Sequence, residues 1–218
     1  MENAIYSKFP LGNLLKGRML SIAELQDRLM IETASRFDAI LHGGTAIWRV
    51  YGGKRFSFDL DFYHGDPKAM LEFFEKSEGL RPARSKVTGT GVCYMRFDEG
   101  PVSAEINISP PFSEKKGTDG EFHLVGGDTI VVRTLTESEL LREKIDAYIN
   151  RRKARDLYDI FYLLGIADSE KASAELQRLS PLLNEPPKDF SGLRELILLG
   201  KSPDFETLAR KVRMHAKD

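Results

Sequence analysis

The segment that most constrains the fold of this chain is Phe58-Asp59-Leu60-Asp61-Phe62, in which apolar and acidic residues alternate. Alternation with a period of two is typical of a β-strand with one buried face, so the three apolar side chains are expected in a core and both aspartates on the opposite face. Strands disfavour Asp, and neighbouring like charges repel each other. The pattern therefore predicts that divalent cations bind here and offset the repulsion.

The aspartate pair has a second interpretation. Asp59 and Asp61 can instead form the solvated face of an edge strand, where charges prevent sheets from joining edge to edge. The regular flanking by apolar residues favours the metal-binding interpretation, because a fixed core face then orients both carboxylates together.

A glycine pair precedes this strand. Gly43-Gly44 stands at a predicted strand-to-helix turn, where the lack of side chains lets backbone N–H groups face a phosphate, although such a pair by default is only a turn. Thr45 then offers a hydroxyl or caps the helix. Arg55 and Ser57 lie just before the acidic strand, and Arg55 can hold a phosphate or one of the aspartates. These five residues are our candidates for nucleotide binding.

A third carboxylate is predicted from the segment 102–109. Its apolar residues alternate with polar ones, and Glu105 is the single charge on the polar face. If this strand lies beside the first, Asp59, Asp61 and Glu105 meet and can hold two metal ions about 3.5–4 Å apart. An all-oxygen site favours Mg²⁺ or Mn²⁺. The alternative is that Glu105 is an ordinary surface charge.

Composition narrows the possible partners. The chain has 218 residues, 41% of them hydrophobic, and a net charge of −1, so it has no overall attraction for nucleic acid. A stretch of about 20 apolar residues and a signal-peptide pattern are both lacking, so we expect a cytoplasmic protein without a membrane partner. Cys93, the single cysteine, is expected to be a buried apolar residue. One local basic run is a candidate for contact with nucleic acid: Arg142, Lys144, Arg151, Arg152, Lys153 and Arg155.

The periodicity predicts an α+β protein in two parts. Residues 1–135 read as a mixed sheet with flanking helices, and residues 136–218 as a helical domain. Capping-box patterns predict helix starts at Ser21, with Glu24, and at Thr136, with Glu139. Periodicity and turn residues predict strands at 38–41, 122–125 and 129–135, and two or three strands between residues 83 and 109. They also predict helices at 45–50 and 67–76, and a loop at 110–120.

The helical part holds a second candidate group. Lys144 can reach a triphosphate as a point charge, and Asp156 can orient Lys144 or Arg155, or contact the metal. Without further context, the basic run is a solvated helix face and the Arg155-Asp156 pair is a weak surface ion pair.

Two segments together resemble a known family. The segment from His42 to Phe62 is similar to the signature of the AbiEii/MenT-like nucleotidyltransferases, the toxins of AbiE-type toxin–antitoxin pairs. The segments 143–147 and 155–159 resemble their later motifs, in which a lysine and an Arg-Asp-x-x-Asp element complete the nucleotide site. The resemblance runs from about residue 37 to 165. The gap between Gly44 and Asp59 is longer than is most common in the wider superfamily, but it is usual for this subgroup.

The resemblance implies a fold and a reaction. The fold is a polymerase-beta-type nucleotidyltransferase sheet followed by helices. Asp59 and Asp61 are then metal ligands, Gly43 and Gly44 lie beside the triphosphate, and Lys144 and Asp156 belong to the active site, whereas Glu105 rests on alternation alone. The reaction moves a nucleoside monophosphate from an NTP to a hydroxyl, in some relatives at the 3′ end of tRNA.

Several functional alternatives remain open at this stage. We expect a metal-dependent nucleotidyltransferase that modifies RNA and has a cognate antitoxin. The acceptor can instead be a small molecule such as an aminoglycoside, or a protein. A non-catalytic nucleotide-binding protein would retain the fold, but it would be expected to lack one of the carboxylates or the lysine, and all are present.

Overall fold

The computed structural model describes residues 10–111 and 116–216 and divides the chain into two compact units. The first contains the residues up to Gly52 together with Ser57–Leu135, and the second contains Gly53–Phe56 together with the residues from Thr136 onward. The segment 53–56 was expected in the first part on sequence grounds, and the structure corrects this.

The first unit is built on one mixed sheet. Its strands lie in the order β3-β4-β5-β2-β1-β7-β6; β2 pairs parallel with β5, β1 pairs parallel with β7, and the other pairs are antiparallel. The strands are Ile40–His42 (β1), Asp59–Tyr63 (β2), Arg84–Val87 (β3), Cys93–Glu99 (β4), Val102–Ser109 (β5), Thr118–His123 (β6) and Thr129–Thr134 (β7). Since β2 lies between β5 and β1, the edge-strand interpretation of Asp59 and Asp61 is wrong.

Helices flank this sheet. The predicted helix at 67–76 is confirmed. It begins here because Asp66 caps it by accepting a hydrogen bond from the Ala69 N–H, and Pro67 is a favoured residue at the first position. The helices of the unit are Leu11–Leu14 (α1), Gly17–Arg36 (α2), Gly43–Arg49 (α3) and Pro67–Lys76 (α4).

The core of this unit follows the predicted alternation with one exception. Leu60 and Phe62 are fully buried, whereas Phe58 is 36% exposed and was wrongly expected in the core. The strand pairing begins only at Asp59, so the alternation does not extend back to Phe58. Cys93 is buried, as predicted.

Some element boundaries differ from the predictions. Helix α2 begins at Gly17, so Ser21 lies inside the helix rather than at its cap. Helix α3 begins at Gly43 instead of residue 45, which puts both glycines in its first turn. The predicted loop 110–120 is shorter, because β6 starts at Thr118; its residues 112–115 lie outside the described part.

The second unit is helical, as predicted. Thr136 and Glu139 form a complete capping box at its first helix. The α-helices are Glu137–Arg151 (α5), Ala154–Leu163 (α6), Ser173–Leu179 (α7), Leu193–Leu196 (α8) and Phe205–His215 (α9), with 3-10 turns at Ser169–Ala172, Ser180–Leu182 and Phe190–Gly192. Together the units confirm the α+β class.

Backbone hydrogen bonds explain why 53–56 belongs to the helical unit. The Phe56 N–H donates to the Leu196 carbonyl at 2.8 Å, and the Leu198 N–H donates to the Lys54 carbonyl at 2.8 Å. These contacts lie far apart in sequence, so local patterns do not predict them. Within 10–111 and 116–216, no helix has the length and apolar composition needed to cross a membrane.

Candidate active site

Asp59 and Asp61 lie on the same face of β2. Both are half-buried, and they alternate with fully buried Leu60 and Phe62 as the sequence predicts. Because β2 is an interior strand, hydrogen bonds on both sides fix its backbone and therefore the direction of both side chains.

Gly43 brings the helix start against this acidic face. Its φ is +72°, a left-handed conformation that favours glycine, and a Cβ built there would lie 2.4 Å from Oδ2 of Asp61. Hence any side chain at residue 43 would displace the Asp61 carboxylate. The structure thus brings Gly43 against Asp61, whereas the contact of the Gly43-Gly44 turn with phosphate stays a prediction.

Thr45 ties the same helix to the acidic strand. It is fully buried, and its Oγ1 donates a hydrogen bond to the Asp59 carbonyl at 2.5 Å. The expectation that Thr45 caps the helix is wrong, since His42 holds the N-cap position without a side-chain cap.

The neighbouring strand β5 brings two polar residues beside the aspartates. Glu105 is the register partner of Asp59, and Asn107 is that of Asp61. Glu105 is exposed, and Asn107 donates from Nδ2 to Oδ1 of Asp61 at 2.9 Å. The structure thus confirms that the two strands are neighbours. Asn107 was not among the candidates from sequence, although it shares the polar face that indicated Glu105.

The donor set suits a hard divalent cation. Asp59 and Asp61 supply carboxylate oxygens, and no Lys or Arg of the described residues forms an ion pair with Asp61. However, the described part contains no group of three or more His, Cys, Asp or Glu side chains arranged to hold a metal. That Glu105 is a metal ligand stays a prediction.

Ser57 precedes β2 and is buried. The buried side chain of Gln26 donates from Nε2 to the carbonyls of Ser57, at 3.0 Å, and Phe58, at 2.8 Å. Gln26 therefore supports the backbone that leads into the acidic strand, and no local sequence signal indicates this contact. A contact between Ser57 and a nucleotide stays a prediction.

The helical unit contains a buried ionic group around Asp159. Arg55 donates to this carboxylate from Nε at 2.6 Å and from Nη2 at 2.5 Å, and Lys144 Nζ lies 2.8 Å from Oδ2. Of the two partners predicted for Arg55, the structure shows a carboxylate, but it is Asp159 rather than Asp59 or Asp61. Its predicted contact with phosphate stays a prediction.

Asp156 belongs to the same group. It is fully buried and accepts two hydrogen bonds from Arg151, from Nε and Nη2, both at 2.7 Å, while Lys144 Nζ lies 3.6 Å away. The predicted pairing with Lys144 is confirmed, whereas Arg151 takes the place expected for Arg155.

Mutual interactions set the charge states within this group. Burial alone would raise the pKa of Asp159, but the adjacent Arg55 and Lys144 outweigh it and hold that pKa below its ordinary value. Burial likewise would lower the pKa of Arg55, but Asp159 raises it above its ordinary value. Both partners therefore stay charged at neutral pH.

Part of the predicted basic run lines a cavity of about 450 Å³ in the helical unit. Arg152 has a left-handed backbone, with φ of 52°, and its guanidinium lies 5.4 Å from the Tyr148 ring centre. Lys144, in contrast, is buried. The lining residues are Arg151, Arg152, Lys153, Glu185, Pro186, Pro187, Lys188 and Asp189.

The mixed sheet with paired aspartates beside a glycine turn is the arrangement of a nucleotidyltransferase, and the family comparison supports this class. The model of the AbiEii nucleotidyl transferase toxins of type IV toxin–antitoxin systems matches residues 28–185. The chain therefore belongs to the AbiEii nucleotidyltransferase toxin family and is a nucleotidyltransferase. A search of the curated proteins found no significant match.

Solved structures share the fold. JHP933 from Helicobacter pylori is 22% identical, with a TM-score of 0.65 over 93% of this chain and 92% of that one. The nucleotidyltransferase toxin MenT4 from Mycobacterium tuberculosis H37Rv is 18% identical, with a TM-score of 0.63 over 99% of this chain and 88% of that one. The predicted fold class is confirmed by this likeness.

Proposed function

We propose that this nucleotidyltransferase moves a nucleoside monophosphate from an NTP to a hydroxyl of RNA, with Asp59 and Asp61 holding the divalent cation, and that it acts as the toxin of a toxin–antitoxin pair. The observation that carries the proposal is the placement of both half-buried aspartates on one face of an interior strand, with Asp61 against Gly43. Family membership supports the reaction class.

The chain's own residues would bind and orient the reactants. The β2 backbone would hold both carboxylates on one face of the sheet, and the backbone N–H groups of Gly43-Gly44, which carry no side chains, would face the phosphates. A bound Mg²⁺ or Mn²⁺ would neutralise charge on the triphosphate and make the acceptor hydroxyl more acidic.

The proposed reaction exchanges one phosphorus–oxygen bond for another. The acceptor oxygen forms a bond to the α-phosphorus, the bond from that phosphorus to the β-phosphate oxygen breaks, and pyrophosphate leaves. Glu105, exposed and in register with Asp59, would orient the hydroxyl or accept its proton.

The family resemblance and one observation support RNA as the acceptor. The resemblance implies transfer to the 3′ end of tRNA in some relatives. In addition, Arg152 and Lys188 line the basic cavity and form no ion pair with a carboxylate of the described residues, so both can attract a phosphate backbone.

Label transfer tests the function. The protein is incubated with each α-³²P-labelled NTP, Mg²⁺ and total RNA, and in parallel with protein or aminoglycoside acceptors. We expect label at RNA 3′ ends, and none with Asp59→Asn, whose melting temperature should match the wild type. Asp128→Asn, the same charge change at an exposed loop residue, is the control and should remain active. Full activity of Asp59→Asn would exclude the proposed site. Label in a protein or an aminoglycoside instead of RNA would show that this molecule, and not RNA, is the acceptor.

The toxin assignment has its own test. Induced expression of the wild-type protein should stop growth, and Asp59→Asn should not. An adjacent gene product that restores growth would be the expected antitoxin. Normal growth with active wild-type protein would exclude the toxin assignment while leaving the transfer reaction intact.

A further inference from the structure

Asn107 forms a side-chain hydrogen bond with Asp61. The two residues are Cα partners in the parallel pairing of β5 with β2, and Asn107 Nδ2 donates to Oδ1 of Asp61 at 2.9 Å. Hydrogen bonds to an ionised carboxylate are among the stronger ones in proteins. The amide therefore restricts the rotation of the Asp61 side chain.

The amide oxygen of Asn107 has no hydrogen-bond partner among the described residues. Asn107 Oδ1 is buried and accepts no hydrogen bond from any of the described residues. Exchanging the amide nitrogen and oxygen would place two acceptors against each other, so the hydrogen-bonding pattern fixes the orientation. A buried acceptor without a donor costs free energy, and such a group in a folded protein calls for an explanation outside stability.

Asp61 is confined on its second oxygen as well. Oδ2 lies so close to Gly43 that a Cβ there would approach to 2.4 Å. One carboxylate oxygen is thus held by Asn107 and the other lies against the glycine backbone, so the plane of the carboxylate is set from two sides.

Glu105, the residue that alternation predicts as the third ligand, has different surroundings. It is exposed and lies opposite Arg96 of β4. Asn107 is half-buried and in direct contact with a proposed ligand. Of the two polar residues that β5 brings beside the aspartates, Asn107 has the contact expected of a residue that orients a metal-binding carboxylate.

We propose that Asn107 is a positioning residue of the metal site, which orients Asp61 for the cation, and that Glu105 does not serve cation binding. This inference rests on the proposed function, because it presumes that Asp59 and Asp61 bind the cation. Loss of a hydrogen-bond partner of a metal ligand typically weakens metal affinity about 10- to 100-fold.

Mn²⁺ binding without nucleotide tests the inference. Titrations followed by electron paramagnetic resonance compare the wild type, Asn107→Leu, Glu105→Gln and Asp59→Asn. Leucine has nearly the shape of asparagine but no amide. We expect Asn107→Leu to weaken Mn²⁺ binding at least about tenfold, Glu105→Gln to change it less than about twofold, and Asp59→Asn to abolish it.

A melting experiment separates positioning from a structural role. Asn107→Leu removes the buried, unpartnered Oδ1, which offsets the loss of the hydrogen bond to Asp61, so without Mn²⁺ its melting temperature should stay close to that of the wild type. Its gain in melting temperature on adding Mn²⁺ should be smaller. Wild-type affinity in Asn107→Leu, or equal loss in Glu105→Gln, would overturn the inference. If Asp59→Asn also bound normally, the proposed metal site itself would fail.

Discussion

Arg55 and Asp159, which are 104 residues apart in sequence, form a bidentate ion pair in which Nε and Nη2 donate to the two carboxylate oxygens at 2.6 and 2.5 Å. Their side chains are only 5% and 1% exposed. The pair attaches the short segment 53–56 to helix α6 within the helical unit. Buried charges of this kind are tolerated only while each keeps its partner.

Asp159→Asn should therefore destabilise the protein strongly. It removes the negative charge that faces both Arg55 and Lys144, and breaking a buried pair in this way costs about 3–5 kcal/mol. Urea unfolding followed by circular dichroism measures the loss.

The double variant Arg55→Met with Asp159→Leu is the matched control. Apolar side chains replace both members of the Arg55–Asp159 pair, and Lys144 keeps Asp156 at 3.6 Å, so the double variant should recover part of the stability lost in Asp159→Asn. A single variant as stable as the wild type would show that the pair has no energetic weight.

Acid should weaken the fold through the same carboxylate. The pKa of Asp159 is held below the ordinary 3.8, so its full contribution is present above that pH. As the pH falls below 3.8 toward the folded-state pKa, the unfolded state binds the proton first and stability declines. Unfolding free energies measured between about pH 2.5 and 5.5 should fall less steeply in the Arg55→Met/Asp159→Leu variant. Identical slopes would contradict the prediction.

The elements that could be predicted have signals within a few residues. The Thr136–Glu139 capping box and the Pro67 helix start depend on side-chain contacts with their own first turn, and both were predicted correctly. The same pattern at Ser21 misled, because Met19 and Leu20 are good helix formers and the helix extends past the cap residue.

In the candidate site, too, only the features with a local sequence signal could be predicted. Alternation correctly predicted that Asp59 and Asp61 share one face, because the period of a strand is a local property. The contact of Gln26 with the Phe58 carbonyl spans 32 residues, and its position depends on how α2 packs. Neither this contact nor the ion pair between Arg55 and Asp159 can be predicted from a local sequence pattern, because the partners lie far apart in the chain.

Gly43→Ala should damage the site more than the fold. The new Cβ would lie 2.4 Å from Asp61 Oδ2 and would displace the carboxylate. Gly17→Ala is the control, because Gly17 also has a positive φ, of +52°, but its new methyl group would meet no atom within 4 Å among the described residues, apart from its chain neighbours and its own helix backbone. Both variants therefore carry backbone strain, and only Gly43→Ala has the clash. We expect both to lose about 1 kcal/mol of stability or somewhat more, with transfer activity and Mn²⁺ affinity falling only in Gly43→Ala. Equal activity of the two variants would contradict this.

Lys144→Ala should weaken NTP use without unfolding the chain. The family resemblance assigns this lysine to the nucleotide, and its compact ammonium suits a phosphate. Asp159 would keep Arg55 and Asp156 would keep Arg151, so neither carboxylate is left alone. The KM for NTP should rise about tenfold or more, since a hydrogen bond to a charged group is worth about 1.5–3 kcal/mol. Lys171→Ala, which removes an exposed lysine paired with Asp168, should leave the KM unchanged. An unchanged KM in a folded Lys144→Ala protein would show that this lysine does not bind the nucleotide and serves only in the ionic group of the helical unit.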